Sequence, residues 1–314
     1  MRLRVLSCGV GLTVLNAING DLRGDRSIAL PRVPGHEICG EAIEVADGVT
    51  DVQLGERGIV YFYLTCGRCW FCSTGQEPLC DRLAGFVGVD IDGGYAEETV
   101  VPARSFVAIP DAVDAVGATA IPDAIATSVH VCGTRARPRP GEIVAVVGAG
   151  GGVGIHLVQV ARLFGARVVA VDVTDEKLSL AREAGAELAF GANVDRADLV
   201  RAAGRPPDVV VDTVGSAETL DWSLAALGRA GRLVVLTTFP GSTITASVPR
   251  LVFDEVTVLG SRYASYADVR TAVRLVAEER VRPVIGAQTP LDGVAELHTR
   301  LQDRSLPGRG AVVF

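Results

Sequence analysis

The hydrophobic and polar positions follow two different patterns along the chain. Between residues 143 and about 261, short apolar runs alternate with amphipathic stretches, in the order EIVAVVG, GIHLVQVARLFG, ARVVAVD and DEKLSLAREAG. Three further apolar runs, DVVVDTVG, GRLVVLTTF and VTVLGS, recur at the spacing of a parallel sheet with crossover helices. Gly165 and Gly185 close the two amphipathic stretches, as glycine commonly does at helix ends. This region therefore predicts alternating buried strands and helices.

The segment before residue 123 has a different rhythm, with short apolar runs and frequent glycine and proline. Runs such as RLRVLSCGV, CGEAIEV, GERGIVYFY and GGYAEETVVP predict irregular antiparallel β-structure. The tail contains one clear amphipathic helix, YADVRTAVRLVAEERV, and a final strand, GRGAVVF. The sequence thus predicts an α/β protein with a β-rich domain at 1–123, an inserted α/β domain at 124–261 and a return segment at 262–314.

Composition argues against several classes of function. The chain has 314 residues, is 48% hydrophobic and 21% charged, and carries a formal charge of −7, which suits two domains with buried cores. Lysine and arginine form no cluster, so nucleic acid is not an expected partner. No apolar stretch is long enough to span a bilayer, and residues 1–10 do not resemble a signal peptide. We therefore expect a cytoplasmic protein that binds neither nucleic acid nor a membrane.

A glycine-rich turn, VVGAGGGVG, joins the first strand of the α/β region to its first helix. Glycines in such a turn let the backbone approach a pyrophosphate and present the N–H groups of a helix start to it. Asp172 lies 18 residues past Gly154, near the ~20 typical of a carboxylate that binds an adenosine ribose. The alternative is a glycine-rich turn that binds nothing. The expected cofactor contacts are Gly148, Gly150, Gly151, Gly152, Val153, Gly154 and Asp172.

Asp172 also bears on which dinucleotide is bound. A carboxylate accepts hydrogen bonds from ribose hydroxyls but repels a 2′-phosphate, and Val173 and Thr174 supply no arginine to offset that repulsion. NAD is therefore expected rather than NADP. Lys177 is the only lysine of the chain and lies five residues past Asp172, so we expect it at the same ribose. The alternative for Lys177 is an ordinary exposed helix residue.

Four of the seven cysteines crowd into residues 66–80. Their spacing, C-x2-C-x2-C-x7-C, supplies four thiolates to one tetrahedral ion and leaves no open coordination position, which predicts a structural zinc. An iron–sulfur cluster is the alternative, but the ferredoxin-type pattern has three residues before its last cysteine and a proline after it. Cys8, Cys39 and Cys132 stand alone and are expected to be buried apolar residues. The predicted zinc ligands are Cys66, Cys69, Cys72 and Cys80.

The motifs that carry a family resemblance are VPGHE, CGRCWFC, DGGYAEETVVP, GAGGGVG and VVAVD. The chain resembles the zinc-containing medium-chain alcohol dehydrogenases over essentially its whole length. The resemblance implies a GroES-like β-rich catalytic domain with an inserted Rossmann domain, a doubly wound parallel sheet. It implies NAD(H)-dependent interconversion of an alcohol and an aldehyde or ketone, in a homodimer or homotetramer. It also implies that Thr127 contacts the nicotinamide and that Arg309 contacts the cofactor pyrophosphate. Compared with the family, about one N-terminal hairpin is missing, either because Met1 is not the natural start or because the domain is trimmed.

The resemblance breaks down at the catalytic metal. Where the family has CGVCHTD, this chain has CGVGLTV, so Gly11 stands at a ligand cysteine and Val14 at an aspartate that steadies the metal-bound histidine. A later family cysteine aligns with Asp123. The resemblance therefore leaves His36, Glu37 and Asp123, with water, as the ligand set of a catalytic zinc. Neighbours on a strand point to opposite faces, so His36 and Glu37 can share an ion only if the strand twists locally.

An empty metal site is the alternative, and it changes the expected chemistry. With zinc, the metal polarises the substrate oxygen and Thr13 relays the proton. Without zinc, two buried carboxylates lack a cation and one must stay protonated. Thr13, with protonated Asp123 or Glu37, would then donate to the substrate oxygen. That site suits reduction of a conjugated C=C or an iminium ion, which is the alternative function; a non-catalytic NAD-binding protein is the third. The resemblance places four aromatic residues in segments that border the substrate cleft, and the alternative for each is an ordinary core residue: Tyr61, Phe62, Trp70 and Phe86.

Overall fold

The computed structural model describes residues 1–20, 29–237 and 241–314. The chain forms two units, one made of Met1–Ala126 and Ala264–Phe314 and the other of Thr127–Tyr263. The sequence places the same divisions after residues 123 and 261, a few residues away. None of the described helices is both long and apolar enough to cross a membrane.

The N-terminal part of the first unit consists of short strands joined by loops and single helical turns. Its strands are β1 (Arg2–Val10), β2 (Glu37–Glu44), β3 (Arg57–Val60), β4 (Glu98–Val100) and β5 (Phe106–Ala108). Its helices are α1 (Leu12–Asn19), α2 (Trp70–Ser73) and α3 (Ala115–Ala118), followed by a π-helical turn at Ile121–Ile125 and by α4 (Ala126–His130), which runs on into the second unit.

The second unit is a six-stranded parallel sheet with helices between successive strands. Its strands are β6 (Ile143–Val147), β7 (Arg167–Asp172), β8 (Leu188–Gly191), β9 (Val209–Asp212), β10 (Arg232–Val235) and β11 (Thr257–Gly260). Its longer helices are α5 (Gly152–Leu163), α6 (Asp175–Glu183), α7 (Arg196–Ala203), α8 (Ala217–Ala226) and α9 (Val248–Phe253). The strand order is β11-β10-β9-β6-β7-β8. The order reverses at β6, and the carboxyl end of the strands at such a switch point is where α/β sheets bind ligands.

The return segment completes the sheet of the first unit. It contains α10 (Tyr266–Ala277), β12 (Ile285–Pro290), α11 (Val294–Gln302) and β13 (Arg309–Val313). The sheet runs β12-β13-β1-β2-β3-β5, with β4 paired to β1. β1 lies between the two strands that matter most for the site, because Gly9 pairs with Glu37 of β2 on one side and with Ala311 of β13 on the other. β13 and β2 therefore both begin near the C-terminal end of β1, on opposite sides of that strand.

The α/β fold class, with a β-rich unit and a parallel-sheet unit, is confirmed. The strands and helices predicted between 143 and 185 are present, and so are β9, β10, β11, α10 and β13. Several elements were not predicted, among them α1, β8, α7, α8 and α11. The stretch LTVLNAIN of α1 contains β-branched residues and asparagine, which are weak helix formers. Its start at Gly11 lacks a side-chain cap, and Gly20 ends it with a φ of 81°, a backbone conformation that glycine adopts readily.

Candidate functional site

The glycine turn connects β6 to α5 as the sequence predicts. Gly148 has a φ of 79°, and a Cβ there would lie 2.5 Å from the Thr213 hydroxyl oxygen. A Cβ on Gly154 would collide with the carbonyl oxygen of Gly148. Glycine is therefore required at both positions for the turn to pack this closely. The turn leads into the N-terminus of α5, with Gly151 as its cap residue, where unpaired N–H groups and the helix dipole favour a phosphate.

Asp172 ties the next strand to this turn. It is the last residue of β7 and is buried, and its carboxylate accepts hydrogen bonds from the backbone N–H groups of Gly150 and Val173, both at 2.7 Å. Each carboxylate oxygen has a second lone pair available to a ribose hydroxyl. Lys177 Nζ lies 4.0 Å from Asp172 Oδ1, and Lys177 is only 7% exposed. The alternative of an ordinary exposed helix residue is therefore wrong for Lys177.

The four cysteines of the loop at 66–80 converge on one point. Their sulfur atoms all lie within 4.8 Å of one another, with neighbouring pairs at 3.5, 3.8 and 4.0 Å. Zn–S bonds of ~2.3 Å in a tetrahedron put sulfur atoms roughly 3.8 Å apart. Backbone hydrogen bonds, chiefly from Arg68, lower the pKa of the Cys66 thiol to about 6, whereas burial raises the pKa of the Cys72 thiol to about 12. The match to zinc therefore rests on the sulfur positions. These four residues fit a structural zinc.

A second cluster of charged side chains lies at the junction of β1, β2 and β13. The Arg309 guanidinium donates from Nε to Glu37 Oε2 at 2.8 Å and from Nη2 to Glu37 Oε1 at 2.5 Å. The same Nη2 donates to Asp123 Oδ2 at 2.7 Å. His36 Nε2 lies 3.5 Å from that Asp123 oxygen, and the His36 ring packs edge-on against Phe62, with centroids 4.5 Å apart. His36 is 1% exposed, Glu37 0% and Arg309 6%.

The backbone explains how these residues meet. Glu37 is the first residue of β2, and His36 immediately precedes that strand. The alternation rule that would turn His36 and Glu37 to opposite faces therefore does not apply to the pair, and their ligand atoms lie on one side. Asp123 comes from the π-helical turn at Ile121–Ile125, and Arg309 is the first residue of β13. The structure brings together the three residues predicted as a ligand set and adds Arg309 to them.

The electrostatics of the cluster are dominated by Arg309. Burial alone would lower the pKa of its guanidinium, but the charges of Glu37 and Asp123 raise that pKa above its ordinary value. Burial raises the pKa of the Glu37 carboxyl, and Arg309 acts in the opposite direction. The sequence predicts that the two carboxylates need either a metal or a shared proton. The structure corrects this expectation, because a permanently charged guanidinium is the cation between them.

A catalytic zinc does not fit the cluster as its side chains stand. The donor atoms of His36, Glu37 and Asp123 lie within 4.8 Å of one another, which by itself is close enough for three ligands. However, Arg309 already occupies both Glu37 oxygens and one oxygen of Asp123. Two like unit charges about 4 Å apart repel by about 4 kcal/mol at an effective dielectric constant of about 20, and a divalent ion doubles that figure. A metal would have to displace the guanidinium first.

The remaining predicted residues are placed as follows. Thr13 lies in the first turn of α1, two residues after Gly11, and is partly exposed. Thr127 is buried and belongs to the second unit. Of the four aromatic residues, Tyr61 and Phe62 are buried, whereas Trp70 is 71% exposed. That exposure does not suit Trp70 to the lining of an apolar pocket.

Comparison with known proteins agrees with this architecture. The family model for the alcohol dehydrogenase GroES-like domain matches residues 1–111, and the model for zinc-binding dehydrogenases matches residues 152–278. An alcohol dehydrogenase of Geobacillus stearothermophilus is 34% identical over 312 residues, covering 98% of this chain and 89% of that protein. Acryloyl-coenzyme A reductase of Metallosphaera sedula is 33% identical over 280 residues, covering 89% of this chain and 82% of that protein.

A solved structure of an alcohol dehydrogenase has the same fold. The alcohol dehydrogenase of the hyperthermophilic archaeon Aeropyrum pernix superposes with a TM-score of 0.92 at 31% identity, covering 100% of this chain and 92% of that one. The resemblance inferred from the motifs is thereby confirmed. The chain belongs to the zinc-type medium-chain alcohol dehydrogenases and is an oxidoreductase of that superfamily.

Proposed function

We propose that this protein transfers hydride between NAD(H) and a small-molecule alcohol or its aldehyde or ketone. The observation that carries the proposal is the nucleotide turn, in which Asp172 is fixed by Gly150 and Val173 at the end of β7. A buried carboxylate there binds ribose hydroxyls and repels a 2′-phosphate, which favours NAD over NADP. The glycines from Gly148 to Gly154, with Val153, would hold the pyrophosphate, and Lys177 would lie beside the ribose.

One zinc ion per chain is proposed, held by Cys66, Cys69, Cys72 and Cys80. A closed set of four thiolates leaves no position for substrate, so a zinc bound there stabilises the loop and takes no part in the reaction. Its ligands come from a 15-residue segment with little regular structure besides α2 and a single helical turn at Glu77–Leu79. The metal would supply the cross-links that this loop otherwise lacks.

The residues of the first unit would act on the substrate oxygen. Reduction of a carbonyl places negative charge on that oxygen, which needs a hydrogen-bond donor and then a proton. Thr13, in the first turn of α1, is the proposed proton donor. The residue three positions on is Asn16, which cannot titrate, so Thr13 would recover its proton from water or from a cofactor hydroxyl. Thr127 is proposed to contact the nicotinamide.

A second function is supported by the acryloyl-coenzyme A reductase relative and by the occupied cluster around Arg309. Without a Lewis-acidic metal, the enzyme would favour substrates that are already activated, such as a C=C bond conjugated to a carbonyl. In that reaction the hydride goes to the β-carbon and the carbonyl oxygen carries the developing charge. The same donors would serve either reaction.

Deuteride transfer from NADH labelled at C4 distinguishes these functions. We expect the label on the hydroxyl-bearing carbon of an alcohol product when the protein is given a panel of aldehydes and ketones. Label on the β-carbon of conjugated substrates alone would establish the second function. Tight NADH binding without transfer to any member of either panel would contradict both and leave a non-catalytic NAD-binding protein.

A homodimer or homotetramer is also proposed. β11 is an edge strand of the parallel sheet, and its residue Val258 is exposed. Val252 and Phe253 of α9, just before that strand, are exposed as well. An edge strand beside exposed apolar side chains is a surface that association commonly buries. Light scattering coupled to size-exclusion chromatography tests this, and a monomer at micromolar concentration would contradict it.

A further inference from the structure

The guanidinium of Arg309 is buried and is paired with the carboxylates of Glu37 and Asp123, as a bound metal cation would be. It lies between two carboxylates. Removing one partner of a buried ion pair strongly destabilises the folded protein, because the other charge stays buried without compensation. Nε and Nη2 are committed to Glu37 and Asp123. Among the described residues, the third nitrogen, Nη1, has no hydrogen-bond acceptor. Two N–H donors of a buried cation are thus without an acceptor in the part of the chain that the structure describes, and a bound molecule could supply one.

Two glycines at the end of β1 make room for this arrangement. A Cβ on Gly9 would lie 2.5 Å from Glu37 Oε2. A Cβ on Gly11 would lie 2.6 Å from both Cζ and Nη2 of Arg309, and 2.9 Å from Nη1. Real Cβ atoms do not approach other heavy atoms so closely, so any side chain at position 11 would exclude the guanidinium from where it stands. The position of Arg309 therefore depends on glycine at position 11.

We propose that the Arg309 guanidinium takes the place of a metal ion between His36, Glu37 and Asp123, and that its Nη1 amino group receives the substrate oxygen. Nη1 is the free donor, and it lies beside Gly11, immediately before the helix that carries Thr13. The substrate part rests on the proposed function, whereas the replacement of the metal does not depend on any substrate.

The resulting reaction is balanced without a metal. A bound nicotinamide would supply hydride to the carbonyl carbon, and the π electrons of the C=O bond would move to the oxygen. Nη1 donates a hydrogen bond to that oxygen and keeps its proton. Thr13 gives the proton that completes the alcohol and regains one from water. A guanidinium is a weaker electrophile than a divalent metal, so we infer that reduction of activated carbonyl compounds is faster than oxidation of simple alcohols.

Metal counting tests the replacement directly. We expect elemental analysis of the protein as purified, and after incubation with excess zinc, to give one zinc per chain. The Gly11→Cys, Arg309→Ala double variant should bind a second ion, because it restores a thiolate beside His36 and Asp123 and removes the competing cation. Incubated with cobalt, it should gain a second set of thiolate-to-cobalt absorption bands. The matched control is Arg274→Ala, which removes an exposed arginine of the same unit and should leave the count at one.

Two metal results would overturn the replacement. One is a second zinc ion bound by the natural protein, in which Arg309 is present. The other is a folded double variant that takes up no second ion. If the double variant does not fold, the wild-type count alone decides the question, since it is expected to be one. These results are independent of turnover, so the failure of every substrate panel would contradict the proposed function and leave this assignment standing.

The role of Nη1 is tested by chemical rescue. In Arg309→Ala, kcat for carbonyl reduction should fall by about 10²–10³-fold, the usual effect of losing one oxyanion donor, and added guanidinium or methylguanidinium should restore it with saturation. Arg309→Lys should restore little, because a lysine has no planar pair of donors for Glu37. The affinity for NADH should stay within about threefold of wild type. An unchanged kcat with about tenfold weaker NADH binding would instead assign Arg309 to the pyrophosphate. That result would overturn the role of Nη1 as a donor to the substrate oxygen.

Discussion

Adding a single methyl group at Gly11 is expected to destabilise the protein by displacing Arg309. A Cβ at this position stands 2.6 Å from Cζ and Nη2, whereas ordinary carbon contacts are about 3.5–4 Å. The guanidinium must therefore retreat by about 1 Å. A shift of that size stretches the bonds from Nη2 to Glu37 and Asp123, now 2.5 and 2.7 Å, to or beyond the ~3.2 Å end of the hydrogen-bond range.

The expected cost follows from these bonds. Overpacking a filled site costs about 1–3 kcal/mol, and a hydrogen bond to a charged group contributes about 1.5–3 kcal/mol. We therefore predict that Gly11→Ala lowers the free energy of unfolding by about 3 kcal/mol, measured by urea titration followed by circular dichroism, which reports on both units. Gly260→Ala is the matched control, because a Cβ there meets no atom within 4 Å, and it should cost below about 0.5 kcal/mol.

A double-mutant cycle shows whether Arg309 is the cause. Once Arg309→Ala has emptied the site, Gly11→Ala should cost below about 0.5 kcal/mol, which corresponds to a coupling energy of about 2–3 kcal/mol between the two positions. If the full cost of Gly11→Ala persists in the Arg309→Ala background, the methyl group collides with something else. The guanidinium would then not lie against Gly11, and the reasoning about this cluster would be refuted.

The remaining predictions concern the nucleotide turn and the cysteine loop. Asp172→Asn should weaken NADH binding about tenfold or more by calorimetry and reduce the preference over NADPH, because the repulsion of a 2′-phosphate disappears; an unchanged preference would contradict the role of Asp172. Lys177→Met should weaken NADH binding severalfold while leaving the fold intact, since the methionine side chain fills nearly the same space as the aliphatic part of lysine. An unaltered affinity for NADH would show that Lys177 only pairs with Asp172. Cys80→Ser should lower the zinc content below one per chain and reduce Tm, whereas Cys132→Ser, a buried cysteine outside the loop, should leave the zinc content unchanged. A protein that keeps its full zinc content after Cys80→Ser would not bind the ion through these four thiolates.

The parts of the molecule that could be predicted from sequence are those whose physical signal is local. The turn from Gly148 to Gly154 lies between a buried strand and an amphipathic helix, and Asp172 follows at the end of the next strand, so the nucleotide site is encoded within about thirty residues. The cysteines of residues 66–80 are likewise neighbours in sequence. Elements with weaker periodicity were missed, such as β8, whose four residues are all only partly buried.

The cluster around Arg309 could not be predicted in the same way. Arg309 and Glu37 are 272 positions apart, and they meet only because β13 and β2 flank β1 in the sheet. The resemblance to the family indicates that Gly11 stands where a ligand cysteine is expected, but the sequence does not show which group fills that space. The resemblance implies a pyrophosphate contact for Arg309, and nothing in its local sequence, PGRGAVV, indicates a buried carboxylate partner.

The central claim is that an arginine, not a metal, lies between His36, Glu37 and Asp123. Its most direct test is a crystal structure of the zinc-loaded protein with anomalous diffraction recorded at the zinc absorption edge. We predict one anomalous peak per chain, among the sulfur atoms of Cys66, Cys69, Cys72 and Cys80. We also predict continuous density for the Arg309 guanidinium between Glu37 and Asp123. A second peak between His36 and Asp123, with Arg309 turned away from Glu37, would contradict the claim.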